Sequence, residues 1–185
     1  MDNIISWFFL GLSLVALSQW FMEQAQVRAK HPIYQICRLI NEPFLKLWWL
    51  IFSPRKVEHV LWLWSFLIEV FAVALLVVVD TGLPWSQITH LGLWVVLSGL
   101  LNLFRHLVYL EMVSVFVLSV LSWISPYHRL MEPVEALTRP FLSPLRRYLP
   151  TFGIIDISPV VLVLLGQFIL SIPLGAMEMA VQRLL

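Results

Sequence analysis

Apolar positions along this chain fall into long runs separated by short mixed stretches, and the lengths of the runs predict its elements. Ile4 to Met22 is nineteen residues without a charge, flanked by Asp2 and Glu23, close to the roughly 20 residues a membrane-spanning helix requires. Val60 to Val79 is interrupted only by Glu69, and Val160 to about Ala180 contains Pro173 and Glu178. Leu91 to Ile124 is nearly continuously apolar apart from Arg105, His106 and Glu111. As one helix rising about 1.5 Å per residue it would reach roughly 50 Å, more than a hydrocarbon core of about 30 Å. No Gly or Pro lies beside Arg105 and His106 to reverse the chain, which argues against a hairpin. The expectation is one span preceded by an apolar helix, 91–106, tilted into or lying on the outer interface. The four spans are placed at about 4–22, 60–79, 107–124 and 160–180.

The first run also has to be weighed against a cleaved signal peptide. Such a peptide has a basic n-region, a shorter apolar core and small residues at its cleavage site. Here the flank carries Asp2 and the run ends in Gln19-Trp20-Phe21-Met22, so the segment is read as a retained span.

Between the spans the period changes. Ile33, Ile36, Cys37, Ile40 and Phe44 share one helical face with Gln35, Arg38, Asn41 and Glu42 elsewhere, and Leu130, Val134, Leu137 and Phe141 repeat the pattern. This spacing predicts amphipathic helices lying in the interface. Residues 44–52 are apolar almost all round except Lys46 and too short to cross, so they are expected to dip shallowly or to pack under the bundle. Pro43, Pro54, Pro133, Pro140, Pro144 and Pro150 are expected to break each path into rigid pieces.

The plan of span, mixed segment, span occurs twice. Glu42-Pro43-Phe44-Leu45 parallels Arg139-Pro140-Phe141-Leu142 at a separation of 97, and Ser53-Pro54 answers Ser158-Pro159 at about that spacing. The reading is an all-α membrane protein whose four transmembrane helices form two parallel repeats, residues 1–81 and 82–185, each a span, an interfacial amphipathic segment and a span. Two spans per copy give both copies one orientation.

Composition agrees: 60% of residues are hydrophobic and 12% charged, against about a quarter charged in soluble domains. Charge then supplies sidedness. Ten of the twelve Lys and Arg lie in 23–58 and 126–156, and none in 80–104. The positive-inside rule makes the two basic segments cytoplasmic and turns both termini and the Asp80-Thr81-Gly82 loop outward. Trp7, Trp20, Trp62, Trp64 and Trp123 stand near span ends, as an aromatic belt requires. A single cysteine, Cys37, excludes an intramolecular disulfide and any Cys-x-x-Cys chemistry; it is expected to be a small packed residue.

One stretch is more specific than the rest. Pro140-x-Leu142-x-Pro144-x-Arg146-Arg147-x-x-Pro150, followed by Gly153, Asp156 and Ser158-Pro159 at the entrance of a span, resembles the signature of the YggT (YlmG) family of small, duplicated membrane proteins of bacteria and plastids. The motif covers about twenty residues. In the first copy Pro43-Phe44-Leu45 and Ser53-Pro54 are present, but Trp49 and Leu50 stand where Arg146 and Arg147 stand in the second, and no Gly-x-x-Asp element precedes the second span. The resemblance implies a multi-pass protein of the bacterial cytoplasmic (inner) membrane. It also implies links to nucleoid distribution and division, to osmotic or salt stress and, in plastids, to maturation of a cytochrome complex, none of which is a reaction.

Candidate chemistry is sparse. Arg146 and Arg147 could hold anionic lipid at about 1 kcal/mol each, or fork onto a partner carboxylate, although plain sidedness anchoring explains them as well. Ser158 is expected to be an N-cap with Pro159 as the first helical residue, and Asp156 to favour the helix start or pair with Arg146 or Arg147. Glu69, near the middle of the second span, is costly when ionised, about 2.5 to 3.5 kcal/mol. Gln167, Arg105 and Glu111 are its expected partners, whereas Glu178 and Arg183 are expected to snorkel. His31, His59 and His128 are scattered through cytoplasmic segments and His90 and His106 lie toward the outside. There is no His-x-x-x-His pair, no Gly-x-Ser-x-Gly and no phosphate-binding loop. The expectations are therefore no enzyme, no cofactor, no metal and no direct nucleic-acid binding, since six acidic residues offset the basic segments. Expected partners are anionic lipid at the cytoplasmic face and a second copy or another membrane protein. The function read is a non-enzymatic accessory or organising factor; its rival is a small transporter or channel component for ions or osmolytes built on Glu69.

Overall fold

The computed structural model describes residues 4–51, 57–82, 91–125, 127–149 and 156–183, and their regular structure is helical throughout. The helices are α1 (Ile4–Gln24), α2 (Pro32–Ile51), α3 (Val57–Thr81), α4 (Gly92–Ile124), α5 (Met131–Tyr148) and α6 (Ser158–Gln182). Ile4–Gln24, Val60–Thr81, Gly92–Ile124 and Ser158–Gln182 are long and apolar enough to cross a membrane. The expected spans 4–22, 60–79 and 160–180 thus correspond to helices of nearly the same extent.

The third span differs. Instead of a separate apolar helix before a span at 107–124, α4 is one helix of 33 residues. Residues 91–106 do not lie apart, because they have a protein surface to cover: Val95 is buried with Val73 and Ala74 of α3. Gly99 lets the two backbones meet. A Cβ there would stand 2.8 Å from Val70 Cγ2 and 2.9 Å from Val70 Cα. The absence of any breaker at 105–106, which excluded a hairpin, also keeps the helix running.

The expectation that prolines fragment the cytoplasmic paths is corrected as well. Pro43 lies inside α2, and Pro140 and Pro144 lie inside α5. Each removes one backbone hydrogen bond, but a buried face along each helix outweighs that local loss. Pro54 and Pro150 lie outside the described residues. In α6, Pro173 falls within a π-helical turn, Leu170–Leu174, a register that accommodates the missing N–H.

Helix ends are set locally. The turn after α1 places Gln26 in the left-handed region at φ 54°, and Val27 N–H reaches back 2.9 Å to Met22 O, the Schellman pattern. Gly82, at φ 69°, closes α3 by donating to Val78 O at 2.9 Å.

Helices α2 and α5 pack at one end of the bundle. Phe21, Met22 and Val27 from the α1 end, Tyr34 and Cys37 from α2, and Ala136 and Leu137 from α5 form one apolar cluster. Leu142 of α5 joins Val115 and Leu118 of α4 in another, with Leu162 and Val163 of α6 against it. Phe44 stacks on Trp64 with centroids 3.3 Å apart, which ties α2 to α3, while Leu47, Trp49 and Leu50 beyond it are exposed.

Most of the apolar face of α2 is left unburied, and the bundle takes an adjoining face. Tyr34, Cys37 and Asn41 are buried, whereas Ile36 and Ile40 are exposed. Period 3.6 finds the apolar positions but cannot distinguish a face turned to the bundle from one turned to lipid.

Candidate functional site

Two polar layers stand out in a bundle otherwise held by apolar contacts. The first ties the α1–α2 turn to the α4–α5 turn. Nε2 of His31 lies 2.8 Å from the Arg129 carbonyl, and the Arg28 N–H donates to Glu132 Oε1 at 3.2 Å. The two turns have matching local bonds 97 residues apart. Ile33 N–H meets His31 Nδ1 at 3.3 Å, and Leu130 N–H meets His128 Nδ1 at 3.1 Å. Likewise His31 N–H donates to Arg28 O at 2.8 Å and His128 N–H to Ser125 O at 3.0 Å. Deeper in, Asn41 donates 2.8 Å to Gln19 and 3.0 Å to the Cys37 carbonyl, with Gln19 and Asn41 both fully buried. Tyr34 donates its hydroxyl proton to Glu23. Burial, then the bond to Glu23 and its charge, pushes the Tyr34 phenol up to about 12.

The motif residues are divided between packing and capping. Leu142 is 1% exposed, in the α4–α5–α6 cluster. Pro140, Pro144 and Arg147 are exposed along α5, with Arg146. Arg146 Nε lies 2.8 Å from Asp156 Oδ2, and Asp156 Oδ1 accepts the Ser158 N–H at 2.9 Å. The predicted pairing of Asp156 with Arg146 is therefore formed. The predicted cap is corrected: Ile157 occupies the N-cap position and no side chain caps from there, so Ser158 is the first residue of α6 and Pro159 follows it. Asp156, one residue further out, supplies the anion instead. Burial works against its ionisation, but Ser158 and the Arg146 guanidinium outweigh this and hold the carboxyl below its usual range. Pro150 and Gly153 lie outside the described residues.

The second layer is within the spans. His106 Nδ1 lies 2.7 Å from Glu69 Oε1, with the Glu69 side chain 3% exposed and that of His106 13%. The predicted partners of Glu69 are corrected by this contact: Gln167 is exposed on α6, Arg105 pairs with Glu178, and Glu111 is buried with neither carboxylate oxygen bonded among the described residues. Glu178, expected to snorkel, is instead the α6 half of that ion pair. Arg105 and His106 thus form consecutive links, one from α4 to α6 and the next from α4 to α3. The signal in the sequence was two adjacent polar residues in the middle of a long apolar run, together with an acid in each of two other spans.

Above the pair, at the Asp80 end of the bundle, α3, α4 and α6 enclose a cleft of about 470 Å³. Arg105 and Glu178 line it, with Asn102, Ser98, Thr81 and Gln182 among its polar groups and Val73, Leu101 and Trp94 among its apolar walls. Among the described residues no group of three or more His, Cys, Asp or Glu is arranged to hold a metal ion.

Comparison with known proteins points the same way as the motif. A family model described as CCB3/YggT matches residues 97–177, the stretch containing most of α4, all of α5 and most of α6. The chain is 28% identical over 155 residues to "Uncharacterized protein YggT" of Escherichia coli strain K12, covering 83% of this chain and 78% of that one. The proteins of the same name from Escherichia coli O6:H1 and O157:H7 match to the same extent. No solved structure gives a significant match. The family model over most of α4, all of α5 and most of α6, together with similarity over most of the chain, supports membership of the CCB3/YggT family.

Proposed function

We propose that this protein is a non-enzymatic accessory or organising factor of the bacterial inner membrane, acting through the α2–α5 face, with both termini on the opposite side. The observation that carries this reading is how the polar groups of that face are used. His31, Arg28, Glu132, Arg146 and Asp156 bond to one another or to backbone, which fixes the two segments as one platform. What the platform presents outward is Arg139, Arg147 and the polar edge of α2. The matched turns at His31 and His128 support the further reading that the chain is two parallel repeats. Basic groups at a membrane surface favour anionic lipid headgroups, and a fixed platform suits a membrane-protein partner or a second copy. Roles in osmotic tolerance, nucleoid distribution or division remain readings from the family resemblance.

The rival, ion or osmolyte movement through the bundle, has one observation in its favour, the buried Glu69–His106 pair. Against it, Val115, Leu118 and Leu142 pack together between that pair and the α5 end. The test is complementation. Arg139→Ala with Arg147→Ala, inserted normally, is expected to lose the phenotype that separates a deletion strain from its parent. Intact complementation, or ion flux in vesicles that Glu69→Gln abolishes, contradicts the accessory reading. A reporter at the C-terminus tests sidedness, and a cytoplasmic signal there overturns it.

A further inference from the structure

The geometry points to the Glu69–His106 pair as a proton-binding site reached through the cleft at the Asp80 end of the bundle. Three observations converge on it. The pair is buried inside the spans with its atoms 2.7 Å apart, where ionisable groups are costly and mark proton relays or substrate paths. The cleft ends directly above it: Val73 and Asn102 line the cleft, and each is four residues from a member of the pair, one helical turn away on the same face. Arg105, the residue before His106, also lines the cleft. Beyond the pair, Glu111 is 5% exposed and neither of its oxygens has a partner among the described residues. It lies five residues further along α4, about 7.5 Å deeper along the helix axis.

The charged surroundings of the pair are few. Between Ile4 and Met22, α1 carries no charge. Across its membrane-spanning part, Val60–Thr81, α3 carries Glu69 itself and, at the cleft, Asp80; Glu58 and His59 precede it at the other end of the helix. Helix α4 supplies Arg105 and Glu111, and α6 supplies Glu178, which is bound to Arg105. The Arg105–Glu178 pair is neutral as a unit, so it leaves the charge of the Glu69–His106 pair uncompensated when that pair gains or loses a proton.

The proton balance is simple. As carboxylate with imidazolium, or as carboxylic acid with neutral imidazole, the pair holds the same number of protons and has no net charge. Transfer across the hydrogen bond interconverts the two forms. A further proton given up by hydronium in the cleft makes carboxylic acid with imidazolium, at net +1, and leaves water behind. Release to water reverses the step. No oxidant, metal or second substrate is required. The site itself does not depend on which end of the bundle faces outward; the charge asymmetry assigns the cleft end to the outside.

The test uses the full chain in phosphatidylcholine vesicles. Infrared difference spectra taken between about pH 5 and pH 8, the range in which histidine ordinarily changes charge, should contain a protonated-carboxyl band that Glu69→Gln removes and His106→Gln displaces. Transfer to deuterated water should shift that band promptly. Filling the cleft with Ser98→Trp, or independently with Leu101→Trp, should slow the shift by about tenfold or more, as exchange limited by access or local opening requires, while leaving the band in place. A spectrum with no band that Glu69→Gln removes overturns the site. A band whose exchange ignores both cleft-filling substitutions overturns the route. Proton flux across the membrane is a separate outcome that contradicts the accessory reading without contradicting this site.

Discussion

Helices α2 and α5 occupy the same end of the bundle and begin after turns with the same histidine bonding, yet their surfaces differ. Helix α5 has two sides. Pro133, Ala136, Leu137, Thr138 and Leu142 are buried, and Glu135, Arg139, Ser143, Arg146 and Arg147 are exposed. Helix α2 has three. Tyr34, Cys37 and Asn41 face the bundle, Arg38, Glu42 and Lys46 form a charged stripe at four-residue spacing, and Ile36, Leu39, Ile40, Leu47 and Leu50 form a second apolar stripe left exposed, Leu50 by 84%. Glu42 and Lys46 pair at 3.0 Å, and Lys46 holds the Glu42 carboxyl below its usual range. An apolar stripe beside a charged one along a helix is the pattern of an element lying in the membrane surface. The comparison teaches that two helices packed at one end of the bundle can leave different outer surfaces, polar along α5 and an apolar stripe beside a charged one along α2.

The sharpest break of this comparison is in stability. Leu142→Ala, in the α5 cluster, should cost about 2–5 kcal/mol, whereas Leu39→Ala, on the exposed stripe of α2, should stay within about 0.5 kcal/mol in detergent. Denaturant unfolding of the two variants checks this; equal losses would mean the stripe is packed rather than exposed. Next comes the pair of buried polar residues 97 positions apart on the two helices, Asn41 and Thr138. Asn41→Ala strands Gln19 without its partner and should cost about 1–3 kcal/mol. The Thr138 hydroxyl bonds Val134 O within its own helix, so Thr138→Ala should cost less than about 1 kcal/mol.

Two pH effects are smaller. Tyr34 has a folded value above its unfolded 10.0, so its contribution is fully present below pH 10 and is lost as pH rises toward about 12. Tyr34→Phe, followed by alkaline unfolding, should remove that component. Asp156 has the opposite sign. Its folded value is lowered, so its contribution is present above the ordinary carboxylate range and is lost as pH falls through the lowered value. The pair with Arg146 is partly exposed, so Asp156→Asn should cost under about 1 kcal/mol, and the acid component should vanish with it.

Much of this was legible in the sequence because a bilayer allows few solutions. Roughly 20 apolar residues must be supplied for each crossing, so Ile4, Val60 and Val160 mark the starts of their runs. The Asp156–Arg146 contact was legible too, since a helix entry wants an anion and only ten residues separate the partners. The proline breaks failed because local preference yields when a helix has a whole face to bury. The partner of Glu69 was missed because His106 is 37 residues away on another helix, and no local pattern encodes which helices cross at that depth. A second contact of α2 was illegible for a related reason: Asn41, on its polar side, is buried because Gln19 on another helix answers it, while Ile36 and Ile40 stay exposed.

The most direct test of the two-helix account is depth. Nitroxide labels at Leu39 and Leu47 of α2 and at Ser143 and Arg147 of α5, in a chain carrying Cys37→Ala and reconstituted in vesicles, can be compared for collision with oxygen and with a water-soluble paramagnetic reagent. The account predicts that the α2 labels collide chiefly with oxygen dissolved in the acyl region and the α5 labels chiefly with the aqueous reagent. Equal aqueous exposure of both helices would contradict it.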